Sequence, residues 1–167
     1  MWIKRETTMK TRAIRNNNPL NIRRSKDRWA GQAEKQKDPS FVQFTEMKYG
    51  WRAAFLLLTR TYYHKYRCFT IRKIIERWAP PVENNTRMYV ERVANMMHYD
   101  PDTPLGIPMD QPDRWMQLGC AMAIVEAGPH ALDYMSMLEG WGMARRGFSF
   151  LYTKKLQEDA ALLEKKL

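Results

Sequence analysis

Between residues 45 and 127, apolar side chains recur three and four positions apart, in stretches closed by proline or glycine. This periodicity restricts the chain to a mainly helical fold. Thr45 reads as an N-cap with Glu46 in the first turn, opening a helix to about His64 with Trp51, Ala54, Phe55, Leu58 and Tyr62 on one face. Thr70 caps a second helix, with Ile71, Ile74, Ile75 and Trp78 inward, and Ala79-Pro80-Pro81 ends it because proline lacks the N–H that would continue it. Asn84 or Asn85 caps a third through about Met97, with Met88, Val93 and Met97 inward. A Pro-rich loop, Tyr99 to Pro112, leads to a fourth helix from Asp113 to Ala127, closed by Gly128-Pro129. A fifth is expected at Ala131 to Leu138, a loop at Gly140 to Gly147, and a last amphipathic helix at Tyr152 to Leu167, with Leu156, Leu163 and Leu167 close to one face. Residues 1–15 read as polar and extended, Asn16-Asn17-Asn18-Pro19 as a turn, and Ser40 to Phe44 as the best β candidate. The class is mainly α (α+β). The expected organisation is a flexible extension at 1–11, one domain at 12–150 and a C-terminal helix at 151–167.

The net charge of +10 is unevenly placed. Residues 1–80 carry 19 Lys and Arg against 6 Asp and Glu, and residues 81–167 carry 9 against 12. A basic half is drawn to a polyanion, either nucleic acid or the anionic bacterial envelope. No zinc-finger spacing, ribonucleoprotein motif or recognition helix is present, and Arg23-Arg24 and Arg145-Arg146 are too short to form basic tracts, which argues against nucleic acid. Cys68 and Cys120 form no C-x-x-C pair, and with only His64, His98 and His130 a structural metal site is not expected; no cofactor is implied. The two thiols read as core residues, with a disulfide between them left open. No stretch approaches the length of a membrane span, and residues 1–12 lack the apolar run of a signal peptide. Synthesis in the cytoplasm without a signal peptide is therefore expected.

The segment Arg15-Asn16-Asn17-Asn18-Pro19-Leu20-Asn21-Ile22-Arg23 resembles the R-N-N-N-P-x-N-I-R signature of phage and prophage virion and lysis proteins usually taken as lysozyme-like. Trp29-Ala30-Gly31, Phe41-Val42-Gln43-Phe44, Tyr49-Gly50-Trp51-Arg52-Ala53 and the block from Thr70 to Tyr89 are similar to further elements of that family, in order. The likeness covers about residues 12–128 and is specific as a linked set. A looser similarity to bacterial glucosaminidases rests on the loop at Asn18 to Arg23, the Phe41 to Phe44 run and the Trp78 to Tyr89 block. Those enzymes carry their catalytic Glu on a helix before the first motif. Here about 15 residues precede it, holding one Glu at position 6. The resemblance implies a lysozyme-like domain acting on peptidoglycan glycan strands, with virion or other assembly proteins as further partners.

Glycoside cleavage needs a carboxylic acid that keeps its proton near neutral pH, and an apolar wall is the usual way to hold it. Glu126 follows Trp115, Leu118, Met122 and Val125 on one face, in a last helical turn where the helix dipole disfavours a carboxylate. The string Ile124-Val125-Glu126-Ala127-Gly128 is similar to the helix-end E-S-G or E-N-G pattern of lysozyme-like enzymes, which implies a circularly rearranged core. A solvent-facing terminal Glu is the competing reading. Glu46 is the second candidate acid, although the dipole at a helix start lowers a carboxyl's pKa. Glu83, in a Pro/Asn turn, reads as a substrate contact or a cap. Asn18 and Asn21 can bond N-acetyl groups or their own turn. Trp29, Phe44, Trp78 and Tyr89 can stack on sugar faces or fill the core. Three functions remain: a muramidase or lytic transglycosylase, a non-catalytic virion or glycan-binding protein on the same fold, and a nucleic-acid-binding module.

Overall fold

The computed structural model describes residues 10–80, 85–129 and 133–146. Among the described residues, six α-helical stretches carry the fold: α1 (Arg12–Arg15), α2 (Met47–Leu56), α3 (Ile71–Trp78), α4 (Thr86–Met97), α5 (Pro112–Ala127) and α6 (134–146). Past Leu56 the chain continues helically in π geometry over Leu57–Lys65. Thr70 accepts a hydrogen bond from Lys73 N and Asn85 from Met88 N, so α3 and α4 begin at the expected caps. Gly128, at φ +90°, ends α5 in a conformation a side chain would resist.

The core lies where α2 to α6 converge. Trp51, Phe55, Leu58, Ile71, Ile74, Ile75, Val93, Trp115, Leu118 and Met122 are fully buried. Trp51 stacks on Phe55 at 5.5 Å between ring centroids, and Trp141 meets Phe55 edge-on at 5.0 Å. Each large apolar side chain buried in this way contributes roughly 1.5–3 kcal/mol. Both cysteines are free thiols, Cys68 buried and Cys120 partly so.

Several sequence expectations are corrected. Residues 12–15 are helical, because Thr11 accepts from Ile14 N and caps α1. Thr45 is not the cap of α2: its hydroxyl donates to Gly31 O at 3.2 Å, and Glu46 takes the N-cap position without a side-chain bond. Met88 faces outward, 55% exposed, because α4 packs on α5 through Tyr89, Val90, Val93 and Ala94 instead. The loop expected from Gly140 is helix through residue 146. Gly140 sits where α6 crosses α2; a Cβ there would lie 2.4 Å from Trp51 Cβ and 2.8 Å from Arg52 N, so only glycine permits the approach. The helix expected at Tyr152 to Leu167 lies outside the described residues.

The run at residues 40–44 pairs only through isolated antiparallel bridges, Arg23 with Phe41 and Gln32 with Phe44. Backbone bonds such as Val42 N to Ile22 O at 2.9 Å and Ala33 N to Gln43 O at 2.8 Å are supplemented by side chains. Gln36 accepts from Gln43 N at 2.8 Å and donates to Gln43 O at 2.8 Å, and Asn18 donates to Val42 O at 2.9 Å. Arg12 grips Asp38 with two bonds of 2.6 Å, and Asp38 also accepts from Asn16 Nδ2 and from the N–H groups of Ser40 and Phe41. The Arg12 hydrogen bond, chiefly, holds the Asp38 carboxyl well below the usual carboxylate range. A depressed native pKa stabilises the fold above the unfolded value of about 4 and loses that contribution as pH falls through the native value. Asp38→Asn is therefore expected to lower the Tm at pH 7 and to converge on wild type in strong acid, read from thermal melts across pH.

Candidate active site

The loop from Asn16 to Arg23 runs over the C-terminal end of α5. Asn18, fully buried, donates to Ile22 O and Val42 O and accepts from Ile22 N, each at 2.9 Å. Leu20 and Ile22 are buried on either side of Asn21. Asn21 itself takes φ +51°, a left-handed conformation that asparagine tolerates better than most residues. The clamp therefore presents the Asn21 amide to the end of α5.

There it meets Glu126. Asn21 Nδ2 donates to Glu126 Oε2 at 3.0 Å, and the Tyr89 hydroxyl, from α4, donates to Glu126 Oε1 at 3.1 Å. The Trp78 side chain, at the end of α3, lies beside this carboxyl and acts to lower its pKa. Burial raises the Glu126 pKa above the ordinary glutamate value, and this outweighs the opposing effects of Asn21, Tyr89, Trp78 and the nearby Arg23 charge. Tyr89 is held well above the ordinary tyrosine value, by burial first and by Glu126 second. The carboxyl is thus turned inward and tethered by groups from two other segments.

Glu126, Asn21, Trp29 and Trp78 line one open cleft of about 650 Å³. Its other walls are Phe41 and, from the π-helical stretch and its end, Leu57, Thr61, Tyr62 and Tyr66. Tyr62 and Trp78 lie 5.5 Å apart between centroids, and the Arg77 guanidinium sits 3.4 Å over the Tyr66 ring. Aromatic faces beside a hydrogen-bonding amide suit a ligand with apolar faces and polar rims, as sugar rings have.

None of the other expected site residues lines the cleft among the described residues. Asn18 spends its amide on backbone, and Phe44 is buried beneath the N-terminal loop, outside the cleft lining. Tyr89 is buried and reaches Glu126 through its hydroxyl instead of offering a ring face to the cleft. Glu46 is exposed at the start of α2, 3.8 Å from Lys48 Nζ. Glu83 lies outside the described residues. The cleft adds residues that sequence reasoning missed: Arg23, Asp27, Tyr62, Tyr66 and Arg77. Asp27 is the second carboxylate on the lining, and its loop position offered no periodic signal. Among the described residues no group of three or more His, Cys, Asp or Glu could hold a metal ion, and no helix is long and apolar enough to cross a membrane.

No protein-family model matches the chain. It is 37% identical over 139 residues to Protein P5 of Pseudoalteromonas phage PM2, an alignment that spans 78% of this chain and 81% of that protein. The match agrees with the phage character that the Arg15 to Arg23 segment implies, without attaching an activity to it. At this identity and coverage, the chain belongs to the family of Protein P5 of Pseudoalteromonas phage PM2.

Proposed function

We propose that this protein cuts the glycan strands of peptidoglycan, as a muramidase or lytic transglycosylase, with Glu126 as general acid. The observation that carries this reading is the inward-facing carboxyl at the wall of a sugar-sized cleft, where burial favours its protonated form. In the proposed step the Glu126 proton passes to the glycosidic oxygen as the bond to the anomeric carbon breaks, leaving Glu126 ionised. The electron-poor sugar is then captured either by its own C6 hydroxyl, giving an anhydro end, or by water, giving a reducing end. In either case the attacking hydroxyl's proton restores Glu126 or leaves through a second base. Asp27 is the carboxylate on the lining available as that base. Asn21, Trp29 and Trp78 would hold the strand, and the basic N-terminal half would draw it in.

The test is incubation of the purified protein with isolated peptidoglycan and mass spectrometry of the released sugars. Release of anhydro-ended fragments identifies the transglycosylase and reducing ends identify the hydrolase. The second reading is a glycan-binding virion protein that does not cut. It is favoured by the tethering of both Glu126 oxygens, Oε1 by Tyr89 and Oε2 by Asn21, which leaves the carboxyl bonded before any substrate arrives. Retention on peptidoglycan without released fragments would establish it.

A pH profile gives a sharper readout. The acid must be protonated, so activity is expected to fall as pH rises through the raised Glu126 pKa. The Asn21 bond favours the ionised form. Asn21→Ala should therefore move the alkaline limb to higher pH while reducing the maximal rate. An unmoved limb would show that Glu126 is not the titrating acid.

A further inference from the structure

The cleft is not electrically even. Its lining carries Arg23 and Arg77 against Asp27 and Glu126. Arg77 stands in the last turn of α3, and its guanidinium stacks 3.4 Å over the ring of Tyr66, which caps the π-helical stretch. Lys65 Nζ lies 5.5 Å from the centroid of the same ring, so two cations gather on one exposed aromatic side chain. Other arginines are engaged by acids: Arg12 by Asp38, Arg72 by Asp102 and Arg87 by Glu91. Among the described residues no ion pair engages Arg77. The stack holds the guanidinium by its face and leaves the N–H donors at its edge for a planar oxyanion. Trp78, next along the chain, lies beside Glu126. Tyr62 lies 5.5 Å from Trp78 and 6.2 Å from Tyr66, between ring centroids. These rings carry the lining from the acid to the cation, so a strand lying along them would bring its side groups past Arg77.

We propose that Arg77, braced by Tyr66, recognises a carboxylate carried on the muramyl sugar of a bound strand, and so sets a preference for peptidoglycan over neutral glycans. The inference rests on the glycan reading of the cleft. Two sources share this chemistry. One is the lactyl carboxyl of the sugar itself, where it bears no peptide. The other is a carboxylate of the stem peptide, where the lactyl group is amidated.

The test is calorimetric titration of the full chain carrying Glu126→Gln, so that strands stay whole. The ligands are tetrasaccharides of alternating N-acetylglucosamine and N-acetylmuramic acid, with free lactyl carboxyls, with neutral lactyl amides, or with stem peptides. At least one anionic strand should bind roughly ten-fold more tightly than the amide, as a charge-assisted pair gives. The gap should narrow with added salt. Whichever anionic strand shows it names the source. Adding Arg77→Gln should close the gap and leave amide binding unchanged. Arg77→Lys should keep part of it, since the charge remains without the planar fork. Equal binding of all the strands, a gap that survives Arg77→Gln, or equal loss for every strand in that variant would overturn the proposal and leave the glycan reading standing. If no strand binds, both readings fall, and capture of a short single-stranded DNA in their place would assign the cleft to nucleic acid.

Discussion

Replacing Glu126 by Gln is expected to abolish glycan release while making the protein more heat-stable at neutral pH. Glutamine keeps the shape, can accept from Asn21 at its single oxygen and donate to the Tyr89 hydroxyl through its amide nitrogen, but it has no acidic proton to give. Loss of a general acid typically costs roughly a hundred- to ten-thousand-fold in rate, which would leave digestion at background over an ordinary incubation. The stability gain has a separate cause. In the unfolded chain this glutamate ionises near pH 4, whereas in the native state burial holds its pKa higher. A raised native pKa favours the fold below the unfolded value, and that advantage is lost as pH rises through the native value. Wild type therefore carries a penalty at pH 7 that the amide does not. Melting curves should show a higher Tm for Glu126→Gln at pH 7 and a narrowing gap toward pH 4. A variant that is inactive but less stable at pH 7 would argue that the carboxylate is a structural anchor.

The largest loss of stability is expected from Asn18→Ala. Its amide satisfies three buried backbone groups, Ile22 N, Ile22 O and Val42 O. Alanine would strand all three in a site closed to water, and each buried unsatisfied group costs about 1–3 kcal/mol. Even allowing for relaxation, a loss of about 3 kcal/mol is expected, read as a shift of the urea midpoint. The same loop presents Asn21 to Glu126, so the purified variant should also lose activity below its unfolding transition. An unchanged midpoint would show that this loop does not depend on the clamp.

Much of the helical framework is legible in the residues. Thr70 and Asn85 bond as caps, Gly128 ends α5, and Trp51, Ala54, Phe55 and Leu58 are buried as their spacing implies. Glu126 stands out for a similarly local reason, a carboxyl in an apolar last turn. What could not be read depends on partners distant in the chain. Gly140 looks like a loop residue until α2 is found against it. Met88 and Tyr89 are neighbours, and only packing against α5 decides which is buried. Asn18 and Asn21 share a motif, yet one amide is spent on backbone and the other reaches Glu126. Nothing in the periodicity of Leu57 to Lys65 distinguishes π from α winding, although that stretch forms a wall of the cleft.

The bond between Asn21 and Glu126 joins positions 105 residues apart, and that between Tyr89 and Glu126 joins positions 37 apart. Contacts so distant along the chain form late, after the local helices, because a large loop must close first. The carboxyl therefore acquires its tethers only when the N-terminal loop has settled on the end of α5. A ribosome-bound or clipped fragment lacking either partner would possess helices but no poised proton. Assembly of the groups around Glu126 is tied in this way to completion of the whole fold.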